Sequence, residues 1–271
     1  MSDLIISSLQ NDQVKTLVKL RNRRARDKQG LTVIEEPLVI ARALEAGYPL
    51  RTVYFCPEHL NDAGRRLLAD LRATTGLRSV EMTAPVMTKA SYRDHPEGLL
   101  VVAPQVKTTL EDLKERNLSG SGPLVILEAV EKPGNLGAIL RIADGAGAAA
   151  VLICGQGTDL FNPNVLRASR GAFFHLPTVE APAEKILAFC AARGVTTVAA
   201  SPAARADYTA TDLARPLALV LGTEHDGLSP RMLAACDITV GIPMLGAGDS
   251  LNVASSAAVL LYEALRQRRG G

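Results

Sequence analysis

The sequence predicts an α/β protein of two domains, a smaller amino-terminal one and a larger one built on a parallel sheet. Short apolar runs alternate with helical patterns along most of the 271 residues, and from Pro123 onward the alternation becomes regular. Between the two styles, the stretch VKTTLEDLKERNLSGSG loses the strand pattern and ends in a Ser/Gly cluster, where a connection is expected. The expected division is 1–105, a linker at 106–121, and 122–271.

The first element is a basic amphipathic helix from Asn11 to Gly30. Val14, Leu17, Val18 and Leu20 mark its apolar face, Asn11 and Asp12 are capping candidates, and a glycine closes it. Between positions 15 and 28, Lys15, Lys19, Arg21, Arg23, Arg24, Arg26 and Lys28 stand against the single acid Asp27, a density of charge suited to phosphates. A solvated helix face is the plainer alternative. Then come LTVIE, a helix from Pro37 to Ala46, RTVYFC, a helix near Asp62 to Thr75, SVEM and GLLVVAP, a small α/β domain.

The second domain reads LVILEAV, a helix near Leu136 to Gly147, AVLIC, a helix near Pro163 to Gly171, KILAFCAARG, VTTVAAS, LALVLG, DITVGIP and a last helix from Ser250 to about Arg268. Strands separated by helices make a parallel sheet, and such sheets bind ligands beyond the carboxyl ends of their strands. The loops after LVILEAV, LALVLG and DITVGIP are therefore the places to look.

Each of these loops combines glycine with a few polar residues. KPGNLGAILR places Asn135 near a helix start and Arg141, a fixed cation with a donor fork suited to phosphate, six residues on. GTEHDGLSP holds one carboxylate, Glu224, between Gly222 and Gly227, which let backbone approach a ligand. PMLGAGDSLNVA has Ser250 opening the final helix and Asn252 in its first turn. Taken singly, these are also ordinary turn and cap residues. Three at one sheet edge argue for a site.

Composition narrows the alternatives. Trp is absent and aromatics are 4% of residues, so a base-stacking platform is not expected and RNA contact would rest on charge and shape. Net charge is only +2, which directs attention to the local basic run. Cys56, Cys154, Cys190 and Cys236 form no C-x-x-C pair and read as buried thiols in a reducing compartment. The four histidines show no metal-ligand spacing, so no metal is expected, and His225 reads as a loop residue. No G-x-G-x-x-G follows a strand, and no P-loop or G-x-S-x-G elbow exists. No apolar run is long enough to span a membrane, and MSDLIISSLQND lacks a secretion-signal order; a cytoplasmic location is expected.

PGNLGAILRIAD, LVLGTEHDGLS and IPMLGAGDSLNVASSAAVLLYE closely resemble, in content, order and spacing, the three motifs of the SPOUT superfamily, specifically its TrmH-type RNA ribose 2′-O-methyltransferases. The resemblance runs from Leu124 to the carboxyl terminus. More loosely, the first domain is similar to the L30e-like substrate-binding domain of ribosomal RNA members, including the thiostrepton- and avilamycin-resistance enzymes. Where that family writes a Glu-Gly signature, this chain has Glu35-Glu36-Pro37.

The resemblance implies a deep trefoil knot, a homodimer, S-adenosylmethionine as cofactor and RNA as substrate, with 23S ribosomal RNA first and transfer RNA as the alternative. It assigns Leu221, Gly222, Gly227, Ile242, Met244 and Leu251 to the cofactor, and Asn135, Arg141, Glu224, Ser250 and Asn252 to catalysis. Arg is a poor base, so Arg141 is expected to orient phosphate and polarise the hydroxyl, with Glu224, phosphate or water taking the proton. Two rival classes make distinct demands: a small-molecule methyltransferase would act without RNA, and an inactive RNA-binding relative would not bind the cofactor.

Overall fold

In the computed structural model, which describes residues 4–114 and 122–270, the amino-terminal strands pair into a mixed five-stranded sheet. Its elements are β1 (Leu4–Ile6), α1 (Asp12–Lys19), α2 (Arg23–Gln29), β2 (Leu31–Ile34), α3 (Pro37–Glu45), β3 (Thr52–Phe55), α4 (Asp62–Ala73), β4 (Arg78–Met82), α5 (Ala84–Ala90) and β5 (Leu99–Pro104). The order is β1-β4-β3-β5-β2, parallel on the β1 side and antiparallel where β5 meets β3 and β2. Strand β1 and helix α5 are additions to the sequence expectation. Three residues of β1 are too few to show alternation, and Pro85 in the first turn of α5 hides a helix that propensity alone disfavours.

The expected single helix from Asn11 to Gly30 is two helices. Val14, Leu17 and Leu20 do enter the core, but the chain turns after Leu20 and Asn22 caps a second start by accepting the Arg24 amide at 2.9 Å. Gly30, at φ +62°, then ends α2 as a left-handed cap.

The second sheet has seven strands, all parallel, in the order β10-β12-β9-β11-β6-β7-β8. Along the chain lie α6 (Leu110–Lys114), β6 (Leu124–Glu128), α7 (Pro133–Gly145), β7 (Ala150–Cys154), α8 (Pro163–Ala168), β8 (Thr178–Glu180), α9 (Ala183–Ala191), β9 (Thr196–Ala200), β10 (Ala206–Asp207), β11 (Leu217–Leu221), α10 (Pro230–Ala235), β12 (Ile238–Gly241) and α11 (Val253–Gly270). The chain runs β6 to β7 to β8 in one direction and places its later strands on the other side of β6. The order thus reverses between β6 and β11, and the loops leaving these two strands are neighbours at the carboxyl edge.

The chain divides into two compact units, and the division is not a single cut. Unit 1 joins the chain up to Val106 with Asp159–Phe174, and unit 2 joins Lys107–Thr158 with His175–Gly271. Helix α8, expected among the helices of the parallel sheet, therefore belongs with the mixed sheet. Arg26, only 1% exposed, holds Asp159 through Nε at 3.0 Å and Nη2 at 2.5 Å, and Thr32 donates to the Phe161 carbonyl at 2.7 Å. Phe161 and Phe173 stack edge-on, with Phe173 and Phe174 also against Tyr48. The stretch expected as a linker, 106–121, also differs where it is described. Leu110 and Leu113 of α6 are buried in the core of unit 2, and Thr108 bridges to Val179; residues 115–121 lie outside the described residues.

Candidate active site

The site is built from the carboxyl ends of β6, β11 and β12. Pro133 takes the first position of α7, so Lys132 is the cap and Asn135 already lies inside the helix. Its carboxamide is therefore not used as a cap. It donates from Nδ2 to Glu224 Oε1, in a short hydrogen bond, and accepts at Oδ1 from Asn252 Nδ2 at 3.3 Å. Asn252, in turn, is the cap: it precedes α11, which begins at Val253, and its Oδ1 accepts the Ala254 amide at 2.9 Å. The expected helix start at Ser250 is corrected accordingly, and Ser250 stays in the exposed loop. One polar chain thus links all three loops and fixes which way the Asn135 amide faces.

Beside this chain lies a cavity of about 330 Å³, within the range of small-molecule sites. Leu221, Gly222, Gly227, Ile242, Met244 and Leu251 all line it, and Glu224 and Ser250 stand on the same wall. Asn135, Arg141 and Asn252 do not. Arg141 is exposed on α7 and makes no hydrogen bond or ion pair among the described residues. Gly222 is required by the loop itself: a Cβ there would fall 2.1 Å from the Gly227 carbonyl carbon, where Thr223 N–H bonds to Gly227 O at 2.9 Å. Gly227, at φ +68°, completes that tight return.

Two features escape sequence reading. Glu128, the last residue of β6, accepts hydrogen bonds from the Ser229 amide and hydroxyl, each at 2.8 Å. Ala129 follows at φ +54°, a left-handed conformation uncommon for a residue with a side chain, with Gly155 packed against it. A strand-terminal glutamate at the binding edge was the available signal for the first; nothing in the residue type Ala signals the second.

The basic run is divided in its use. Arg26 is withdrawn from the expected RNA surface, since its guanidinium is buried against Asp159 and the carbonyls of Leu20 and Arg21. Arg21 remains exposed in part but donates to the carbonyls of Lys89 and Ser91, satisfying the end of α5. Lys15 pairs with Asp12 at 3.0 Å and Arg23 with Asp27 at 3.6 Å. Lys19, Arg24 and Lys28 are exposed and their side chains make no hydrogen bond or ion pair among the described residues. Of the Glu35-Glu36-Pro37 stretch, Glu35 accepts from the Ser91 hydroxyl at 2.9 Å and from the Tyr92 amide, and burial raises its pKa despite those bonds. Burial likewise pushes the Cys154 and Cys236 thiols up to about 11 and Cys190 to about 12, the condition of inert thiols; Cys56, Cys154 and Cys190 are buried as expected, whereas Cys236 is only half-buried at the core's edge. Among the described residues no group of three or more His, Cys, Asp or Glu is placed to hold a metal ion, and no helix is long and apolar enough to cross a membrane.

Residues 122–262, which contain the whole site, match the SpoU rRNA Methylase family, and residues 11–101 match the MRM3-like substrate binding domain. The chain belongs to the SpoU rRNA methylase family. Among this family member's relatives, a 23S rRNA (uridine(2479)-2′-O)-methyltransferase of Streptomyces viridochromogenes is 31% identical, the match covering 96% of this chain and 90% of the relative. A crystal structure of an RNA 2′-O ribose methyltransferase superposes with a TM-score of 0.85 at 41% identity, covering 98% of this chain and 99% of that one. An AdoMet-bound rRNA methyltransferase from Sinorhizobium meliloti superposes with a TM-score of 0.86 at 29% identity and 98% coverage of each.

Proposed function

We propose that this chain methylates one ribose 2′-hydroxyl of 23S ribosomal RNA in the cytoplasm, as a homodimer with a knotted carboxyl-terminal region. In this reading the mixed-sheet unit holds RNA and the parallel-sheet unit carries the chemistry. Family membership makes the chain an S-adenosylmethionine-dependent RNA ribose 2′-O-methyltransferase.

The cavity fits the cofactor by its chemistry. A nucleoside needs an apolar slot edged by backbone polar groups, and Leu221, Ile242, Met244 and Leu251 supply the first at strand ends that supply the second. Bound there, S-adenosylmethionine supplies an electrophilic methyl group. The chain's own residues then have three tasks. Asn135 and Asn252 orient Glu224 by the hydrogen bonds described above. Glu224, bonded through Oε1 and lining the cavity, takes the hydroxyl proton. Arg141, free and always charged, holds the target phosphate and polarises the hydroxyl, an alignment effect.

The observation that carries this reading is the meeting of cavity and polar chain at Glu224, which belongs to both. The test is incubation of purified protein with methyl-labelled S-adenosylmethionine and, separately, 23S rRNA, transfer RNA or no RNA. Label in 23S rRNA at one alkali-resistant linkage is expected, with a particle mass of two chains by light scattering. Label only in transfer RNA, or label transferred without RNA, would overturn the substrate assignment.

A further inference from the structure

We propose that Glu128 is a positioning residue for methyl transfer, acting through the loop that carries Glu224. The inference rests on the reading of the cavity as the S-adenosylmethionine site. The loop leaves β11 at Leu221 and ends at Ser229, the cap of α10. It is closed on itself by Thr223 N–H to Gly227 O and by Asp226 N–H to Thr223 Oγ1, both at 2.9 Å, and therefore moves as one piece. Every residue from Gly222 to Leu228 lines the cavity. Where this piece stands sets the width of the cavity and the place of Glu224 together.

The far end of the piece is held by Glu128. One carboxylate oxygen accepts the Ser229 amide and the other accepts its hydroxyl, each at 2.8 Å, while Ser229 Oγ accepts the Met232 amide at 3.1 Å to cap α10. The hydroxyl proton therefore faces Glu128 and its lone pair faces the helix. Two donors aimed at one group call for an acceptor at both ends, which a carboxylate provides and a carboxamide does not. The anchor itself is firm, because Leu127 pairs in register with Leu221 in the β6–β11 ladder. Glu128 and Asn135, seven residues apart on the stretch leaving β6, thus grip the loop at Ser229 and at Glu224. Asn135 sets the orientation of the carboxylate; Glu128 sets the position of the loop that bears it.

The experiment compares Glu128→Gln, Ser229→Ala and the double variant with the parent. In Glu128→Gln the Ser229 amide should exchange with solvent at least tenfold faster while the amides of Leu124–Leu127 keep their protection. Affinity for S-adenosylmethionine by calorimetry should weaken about tenfold and turnover should fall by a similar factor, as loss of a hydrogen bond to a charged group predicts, with KM for RNA unchanged. The double variant should be no worse than the stronger single one, because both remove the same link. Should Glu128→Gln fail to fold, Ser229→Ala, which deletes only a hydroxyl, carries the same three measurements. Parent-like exchange, affinity and turnover would overturn the inference, as would a fall in melting temperature with affinity and turnover intact, which marks a merely structural contact. Parent protein that binds S-adenosylmethionine and methylates no RNA would sink the proposed function and leave the exchange and affinity measurements to decide this point.

Discussion

The basic run of unit 1 and the strand-end loops of unit 2 are both polar segments laid beside a sheet, and the fold spends them differently. In the run, two of the four arginines are drawn into structure: Arg26 is closed around Asp159, and Arg21 reaches the carbonyls that end α5. In the loops, polar groups bond to one another across elements, and one of them, Glu224, stands at a cavity wall. The difference follows from position. A short helix on a small mixed sheet has loose ends and a docked segment to satisfy, so its donors are drawn into structure. The carboxyl edge of a parallel sheet has its backbone satisfied by the ladder, and its side chains are left for one another and for a ligand.

The largest expected effect tests the inward half. Removing one partner of the Arg26–Asp159 pair leaves an uncompensated buried charge, so Arg26→Met or Asp159→Leu should each cost about 3–5 kcal/mol of stability. The double variant, which removes both charges, should recover most of that loss. Urea unfolding followed by tyrosine fluorescence reports on it, since Tyr48, Tyr54 and Tyr92 all lie in unit 1. Single variants with parental midpoints would mean that the 159–174 segment is held by its aromatic contacts alone.

The next effect tests the outward half. Arg141 makes no hydrogen bond or ion pair among the described residues and stays outside the cavity, so Arg141→Ala should leave folding and S-adenosylmethionine affinity near parental values. Turnover on RNA should fall by about a hundredfold, the size expected when an aligned cationic donor is lost. A variant with parental turnover would remove Arg141 from the chemistry and leave the loop trio to act alone.

Much of this arrangement was legible in the sequence, for reasons that also explain the rest. The regular alternation from Pro123 gave the parallel sheet, and the rule that ligands sit at strand ends pointed to the loops that the fold does bring together. Backbone geometry was less legible. Asn135 looked like a cap and is not one, because Pro133 moves the start of α7 three residues earlier. The single helix from Asn11 to Gly30 could not be told from two, since Asn22 reads equally well as an exposed helical residue and as a cap. Least legible were pairings distant along the chain. Nothing local to Arg26 marks it as the partner of Asp159, which lies 133 residues later, and the return of α8 to unit 1 depends on that same contact.

The smallest effect separates two neighbours in one run, Arg21 and Arg24. Arg21 satisfies the carbonyls of Lys89 and Ser91, so Arg21→Gln should cost about 1 kcal/mol in urea unfolding, the worth of a helix-end cation with its hydrogen bonds. Arg24 offers its guanidinium to solvent alone, and Gln keeps a good helix former there, so Arg24→Gln should change stability by a few tenths of a kcal/mol at most. Affinity for RNA should reverse the order. If Lys19, Arg24 and Lys28 each neutralise one phosphate, replacing all three with Gln should lower the slope of log affinity against log salt by about 2–3, while Arg21→Gln lowers it by well under 1. The two measurements together decide the matter, because a group engaged in structure moves stability and a group engaged with phosphate moves the salt slope. A triple variant with the parental slope would place this face of unit 1 away from RNA, and the exposed cations of the run would then be a solvated helix face.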